Sequence, residues 1–336
     1  MEGSASCAAA APIATITTAG TIKALIMTIP CVIFIGSVPA GLGAVGFAPA
    51  AMLFRGEYRI ARPLSKGGVR KDIMDRRSFL AAATLSAAGG AVTKIGRAAA
   101  SRTYVLVHGA WHGGWCWSKV ATILRGRGHT VLTPTQTGLG ERSHLLSKSI
   151  DLDVFVTDIA NVIKYEDLHD VVLVGHSFGG NAISGVADMM RDRIRQLIYL
   201  DAVMLENGQS VFSQLPKDVV EARTKSAQET SGGLSIPAPA PAAFGITDAA
   251  QTQFVQSRFT PHPFNTFVSP LKLANKVGNG LSATYIVCTD PIYKPLDASR
   301  NWVKAAGWKT IEIQCGHDAM VIAPDRLADL LDADAA

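Results

Sequence analysis

Gly175-His176-Ser177-Phe178-Gly179 places a serine between two glycines, directly after the apolar run 171–174 and before Gly180-Asn181-Ala182, a helix-like start. A serine hydroxyl attacks carbonyl carbon only when a base takes its proton, and a sharp strand-to-helix turn is the setting that exposes it. Flanking side chains would clash in such a turn, and the helix N-terminus behind it favours developing negative charge. His317, in the run "QCGHDAM" after the last apolar segment, is the candidate base. A histidine base needs a carboxylate to hold its ring. Asp290, closing "VCTD", is the first choice, because nucleophile, acid and base then run serine, aspartate, histidine along the chain. Asp201, after the apolar run "LIYL", is the alternative acid, and Asp297 the third. Asp318 adjoins the histidine, and its side chain should point elsewhere.

Attack on a carbonyl creates an oxyanion that needs two preorganised N–H donors. One is on the residue after the nucleophile, Phe178. The other should come from the loop after the first strand, where residues 108–117 hold two histidines, three glycines, three tryptophans and a cysteine. Ala110 is the predicted donor, and Gly109 lets the backbone approach closely. His108, Trp115 and Trp117 read as braces of this loop. Gly109, Trp111 and His112 are candidate pocket residues, together with Phe254, Phe259 and Phe264 from a phenylalanine-rich stretch further on. No carboxylate or cysteine cluster accompanies the histidines, so a metal site is not expected.

The elements that must position these groups alternate. Short β-branched runs at 103–107, 130–134, 171–175, 196–201, 283–290 and 309–316 are separated by amphipathic stretches, among them 117–128 and 151–168. That rhythm predicts an α/β fold, a mostly parallel sheet of about six strands flanked by helices. Residues 203–270 interrupt it, with "SIPAPAPAAFG" and a phenylalanine-rich run that includes Phe244, Phe254, Phe259, Phe264 and Phe267. This is too long for an ordinary connection and reads as a helical cap inserted after the fourth strand, over an apolar or aromatic substrate.

Five segments taken together, "VLVHGAWHGGWCW", "GHTVLTPTQTGLGERSHL", "VGHSFGGNAI", "YLDAVMLENGQSV" and "YIVCTD…GHDAM", resemble the methylesterase/hydroxynitrile-lyase branch of the α/β-hydrolases, whose bacterial members include pyrethroid-hydrolase-like carboxylesterases. The resemblance spans roughly 103–335. It implies an α/β-hydrolase fold with a helical cap and a cofactor-free serine hydrolase. Ser177 carries over as nucleophile, His317 as base, and Ala110 and Phe178 as oxyanion donors. Plant relatives place an extra residue before their aspartate, whereas Pro291 follows Asp290 at once. Relatives that cleave cyanohydrins carry threonine where Gly109 stands and, after the catalytic histidine, a lysine that helps hold cyanide. Asp318 occupies that place and would repel it, so ester hydrolysis is expected over the lyase reaction. A non-catalytic binding protein on this fold would often lack a triad member, and this chain keeps all three residue types.

The N-terminal hundred residues differ from the rest. They hold 11 of the 32 basic residues and 4 of the 27 acidic ones, a charge of +7, which leaves −2 for residues 101–336. The body therefore gives no reason to bind nucleic acid, and its expected partner is a small ester. Asp75-Arg76-Arg77-Ser78-Phe79-Leu80, an Ala-rich stretch and Ala98-Ala99-Ala100 resemble a twin-arginine export signal over 74–100. Translation is then expected to start at Met74, with residues 1–73 an untranslated upstream or disordered segment; a membrane anchor at 24–54 is the alternative. The mature domain, 101–336, is expected in the periplasm or outside the cell and off the membrane. Cys116, Cys288 and Cys315 read as buried thiols, with a Cys288–Cys315 bridge conceivable.

Overall fold

The computed structural model describes residues 101–335. The upstream segment, the export signal and the anchor lie outside the described residues. Six strands form one parallel sheet in the order β2-β1-β3-β4-β7-β8: β1 Thr103–Val107, β2 Thr130–Leu132, β3 Val171–His176, β4 Ile194–Leu200, β7 Ser282–Cys288 and β8 Lys309–Ile313. Two short strands of the insertion, β5 Ser235–Ile236 and β6 His262–Pro263, pair with each other.

Strand alternation divides the core in two. Tyr104, Leu106, Val172, Val174, Ile198, Leu200 and Ile286 face α1 (Ser118–Gly126) and α9 (Pro324–Asp334), which supply Val120, Leu124, Leu327 and Leu331. Val105, Val107, Val171, Leu173, Leu197 and Tyr199 face the other way, against Phe155, Ile159 and Ile163 of α2 (Leu152–Tyr165) and Ile183 and Val186 of α3 (Gly179–Met189). Both faces of every central strand are covered, which is why these runs are apolar throughout rather than alternating with polar residues. Asp151 caps α2, its carboxylate accepting the Val154 N–H at 3.1 Å.

Four strands, β2, β4, β7 and β8, stop short of the predicted ends. β8 ends at Ile313 rather than at 316, because the Cys315 N–H turns back onto the Ile313 carbonyl and sends the next residues over the sheet edge. Between β4 and β7 the chain makes the predicted excursion, with α4 (Lys217–Ser231), α5 (Ala249–Gln256) and α6 (Asn265–Val268) besides the small hairpin. α7 (Asp297–Ala305) follows β7, and α8 (Ala319–Ile322) precedes α9. Among the described residues, no helix is long and apolar enough to cross a membrane. Cys116, Cys288 and Cys315 are free and buried, so the conceivable bridge is not formed.

Candidate active site

Ser177 sits at the tip of β3 with a φ of +51°, in the left-handed region. The turn is held from three sides. The Ser177 N–H donates to the Leu200 carbonyl at 3.0 Å, and the Ser177 carbonyl accepts from the Gly180 and Val203 N–H groups. The flanking glycines are required by contact. A Cβ on Gly179 would stand 2.7 Å from the His108 carbonyl oxygen, and one on Gly175 2.8 Å from that of Gly179. The motif thus packs the turn against the end of β1 and the loop that follows it.

His317 lies over this serine. Its Nε2 is 2.9 Å from Ser177 Oγ, and its Nδ1 is 2.7 Å from a carboxylate oxygen, Oδ2 of Asp201. The ring stacks on Tyr293 at 4.3 Å and on Phe244 of the insertion at 5.7 Å, which fixes its plane. Nδ1–H donates to the carboxylate, so Nε2 is free to accept the serine proton.

The carboxylate that meets His317 is therefore Asp201 and not Asp290. The reason is register. Leu200 of β4 pairs with His176 of β3, so the next residues, Asp201 and Ser177, emerge side by side at the same edge. Asp290 lies one strand further out, four residues beyond Ile286, the partner of Leu200. Its N–H is tied to the Cys315 carbonyl, and its exposed side chain lies among Thr289, Glu312, Gln314 and Arg326. Asp297, the third candidate, is an exposed partner of Arg300. That arginine was missed by sequence reasoning. It donates to the second oxygen of the fully buried Asp201 at 3.2 Å, to the Tyr293 carbonyl at 2.9 Å and to Asp297 at 2.6 Å. Asp201 thus has one oxygen for the histidine and one for a guanidinium. A lone arginine early in α7 carries no local signal for this role.

The Ala110 loop and Phe178 meet Ser177 as predicted. All three line one cleft. No acceptor among the described residues takes the Ala110 or the Phe178 N–H. Trp111 beside them has a φ of +64°. Its N–H donates to His262 Nδ1, whose Nε2–H reaches Thr266 Oγ1 at 2.8 Å. With the Trp111 N–H so engaged, the free donors are those of Ala110 and Phe178. His262 is a second residue that spacing alone did not reveal. Burial holds it neutral, its pKa well below the usual 6.5. His108 braces the loop: its Nε2 accepts from the Gln136 N–H at 3.0 Å, its Nδ1 meets the Gly109 carbonyl, and burial lowers its pKa to about 3.

The predicted pocket set needs correction. Trp111 lines the cleft. Gly109 contributes backbone against Ser177, where a Cβ would come within 2.8 Å of the serine's own. His112 is buried beneath the loop, 2.7 Å from the Ala110 carbonyl and 3.0 Å from Asp318 Oδ2. Asp318 is fully buried and faces His112 rather than the cleft, so it does not stand where a charge could repel cyanide. Phe254 packs on Trp115, Phe259 on His112 and Phe264 on Phe212, all away from the serine. Helix and loop phase, invisible in a list of phenylalanines, decides which rings turn inward. The cleft is closed instead by Val203, Val211, Leu215, Phe267, Tyr293 and Leu296, with Arg223 from α4. His176, His317 and Asp318 offer nitrogen and oxygen atoms within 4.8 Å of one another. His317 is committed to Ser177 and Asp201, Asp318 gives Oδ2 to His112, and His176 Nε2 meets the His317 carbonyl at 3.1 Å, while Asp318 Oδ1 and His176 Nδ1 are buried without a hydrogen-bond partner.

A nucleophile elbow at the tip of the third strand, with a histidine and an aspartate from later loops, is the arrangement of one fold family. Residues 104–330 match the model of the alpha/beta hydrolase family. The chain belongs to that family. It is 39% identical over 241 residues to a carbendazim hydrolyzing esterase from Nocardioides sp. strain SG-4G, an alignment covering 68% of this chain and 98% of the relative. It is 34% identical over 122 residues to the putative chloroplastic methylesterase 15 of Arabidopsis thaliana, covering 35% of this chain and 28% of that protein. Among solved structures, an extracellular alpha/beta-hydrolase from a Paenibacillus species superposes with a TM-score of 0.60 at 27% identity, over 68% of this chain and 97% of its own.

Proposed function

We infer that this chain cleaves carboxylic esters of small apolar or aromatic substrates through an acyl-enzyme, with Ser177 as nucleophile, His317 as base and Asp201 as the acid that orients it. The observation that carries this is the continuous chain Ser177 Oγ, His317 Nε2, His317 Nδ1, Asp201 Oδ2, with separations of 2.9 and 2.7 Å, beside two unengaged backbone N–H groups. His317 takes the serine proton as Oγ attacks the carbonyl carbon. The oxyanion is held by the N–H groups of Ala110 and Phe178, at the start of α3. The histidine returns the proton to the leaving alkoxide, and water repeats the sequence to release the acid. Trp111, Val203, Leu215 and Phe267 around the serine support an apolar or aromatic group next to the scissile bond. Relatives bearing esterase and methylesterase names support ester cleavage. We further propose that residues 74–100 direct twin-arginine export.

The direct test is a fluorophosphonate probe followed by mass spectrometry. Wild-type protein should be labelled on Ser177 and should hydrolyse p-nitrophenyl butyrate. Ser177→Ala should lose both while keeping its far-ultraviolet circular dichroism. Retained turnover in that variant would exclude the serine mechanism.

A further inference from the structure

Helix α4 is mostly polar, and Ala227 is its single fully buried residue. Its acids Glu221 and Glu229 pair with Lys217 and Lys225 on its own surface. Arg223 behaves differently. Its side chain turns under the insertion and lines the same cleft as Ser177, where it is the one formally charged residue among the described lining. The guanidinium lies 5.4 Å from the ring centre of Phe267 and 5.8 Å from that of Trp111. The Tyr293 phenol lines the cleft beside it, and no carboxylate among the described residues forms an ion pair with it. Arg223 is half-buried without a carboxylate partner, and burial pulls its pKa below the usual 12.5.

A guanidinium has five N–H donors, and two aromatic faces and a phenol leave most of them unused. Taking such a group out of water is costly unless an anion meets it. Nothing about the triad needs a positive charge there, because Arg300 already serves Asp201. Resting on the ester-hydrolase reading above, we propose that Arg223 is a specificity residue that binds a carboxylate carried by the substrate, making half-esters of dicarboxylic acids the preferred class. The apolar walls take the connecting methylenes, the two rings hold the guanidinium flat, and a bidentate pair fixes the ester carbonyl over Ser177.

The test uses matched methyl esters followed by pH-stat: monomethyl succinate, glutarate and adipate, each against the methyl ester of the unbranched monoacid of equal carbon number. Wild-type kcat/KM should favour at least one half-ester over its neutral partner by about 10- to 100-fold, the span of a charge-assisted hydrogen-bonded pair. Arg223→Gln should remove that preference, Arg223→Lys should restore part of it, and Arg223→Glu should reverse it. Fluorophosphonate labelling of Ser177, with its neutral probe, reports the hydrolase reading separately. Protein that labels normally but prefers the neutral ester in all three pairs would overturn the Arg223 assignment alone. So would an Arg223→Gln variant that lowers Tm yet keeps the wild-type ratio, since the arginine would then merely brace Tyr293.

Discussion

Asp201→Asn probes how the two sides of one carboxylate act together. The aspartate offers one oxygen to His317 Nδ1 at 2.7 Å and the other to Arg300 at 3.2 Å. An asparagine has a single oxygen. If that oxygen faces His317, the amide NH2 points at a guanidinium, donor against donor. If the amide flips, the oxygen satisfies Arg300 and the NH2 confronts Nδ1, which must then be the unprotonated nitrogen. Nε2 carries the proton in that case and cannot accept one from Ser177. A hydrogen bond to a charged group contributes about 1.5–3 kcal/mol, so Arg300 drives the population toward the inactive tautomer by roughly 10- to 100-fold. Loss of the negative charge beside the developing imidazolium adds a similar factor. We expect kcat to fall about 10³- to 10⁴-fold with the fold intact. The assay is p-nitrophenyl butyrate turnover, with thermal melting to confirm folding. The account makes a second, less obvious demand. In an Arg300→Leu background the amide is free to turn its oxygen to His317, so Asp201→Asn should cost about tenfold less there than in wild type. A strictly multiplicative double variant would refute the tautomer account. Asp290→Asn should leave kcat within about threefold of wild type, and a larger loss there than at Asp201 would refute the assignment of the acid.

Stability should fall in acid: burial pushes the pKa of His108 to about 3 and those of His176 and His262 well below 6.5, so the unfolded chain binds more protons below about pH 6.5. Stability is then full above that pH and lost progressively toward pH 3, His108 alone costing on the order of 2 kcal/mol at pH 5. Urea midpoints across pH 5–8 measure it, and a flat profile would contradict the neutral assignment of these rings. Gly179→Ala should lower both kcat and Tm, because its methyl would press on the His108 and Val107 carbonyls and move the strand end that carries Ala110; the cost should be about 1–3 kcal/mol, read by melting. For the proposed export signal, Arg76→Lys with Arg77→Lys should retain esterase activity in the cytoplasmic fraction, and periplasmic activity in that variant would exclude the twin-arginine route.

The sequence by itself determined the layers, the elbow and the base. Apolar runs of strand length separated by amphipathic stretches allow few arrangements other than a parallel sheet covered on both faces. A G-x-S-x-G between such a run and a helix start is nearly self-sufficient, because its glycines are demanded by contacts within one turn. The meeting of His317, Ala110 and Phe178 at Ser177 was legible for the same reason: each lies within a few residues of a strand end that must point at the site. The acid was not. Asp201 and Asp290 both follow strands, and chain order favours the second; the choice rests on pairing register, since Leu200 opposite His176 sets Asp201 beside Ser177, while β7 stands one strand further out. Arg300, Arg223 and His262 were hidden because each acts across more than thirty residues of chain, through contacts that have no local spacing. The phenylalanines make the same point from the other side. Their number announced an apolar cap, but only the packing of α5 and α6 turns Phe267 toward the serine and Phe254 and Phe264 away from it. Local sterics and periodicity are written in neighbouring residues; which distant side chains share a cleft is decided by how the elements close on one another.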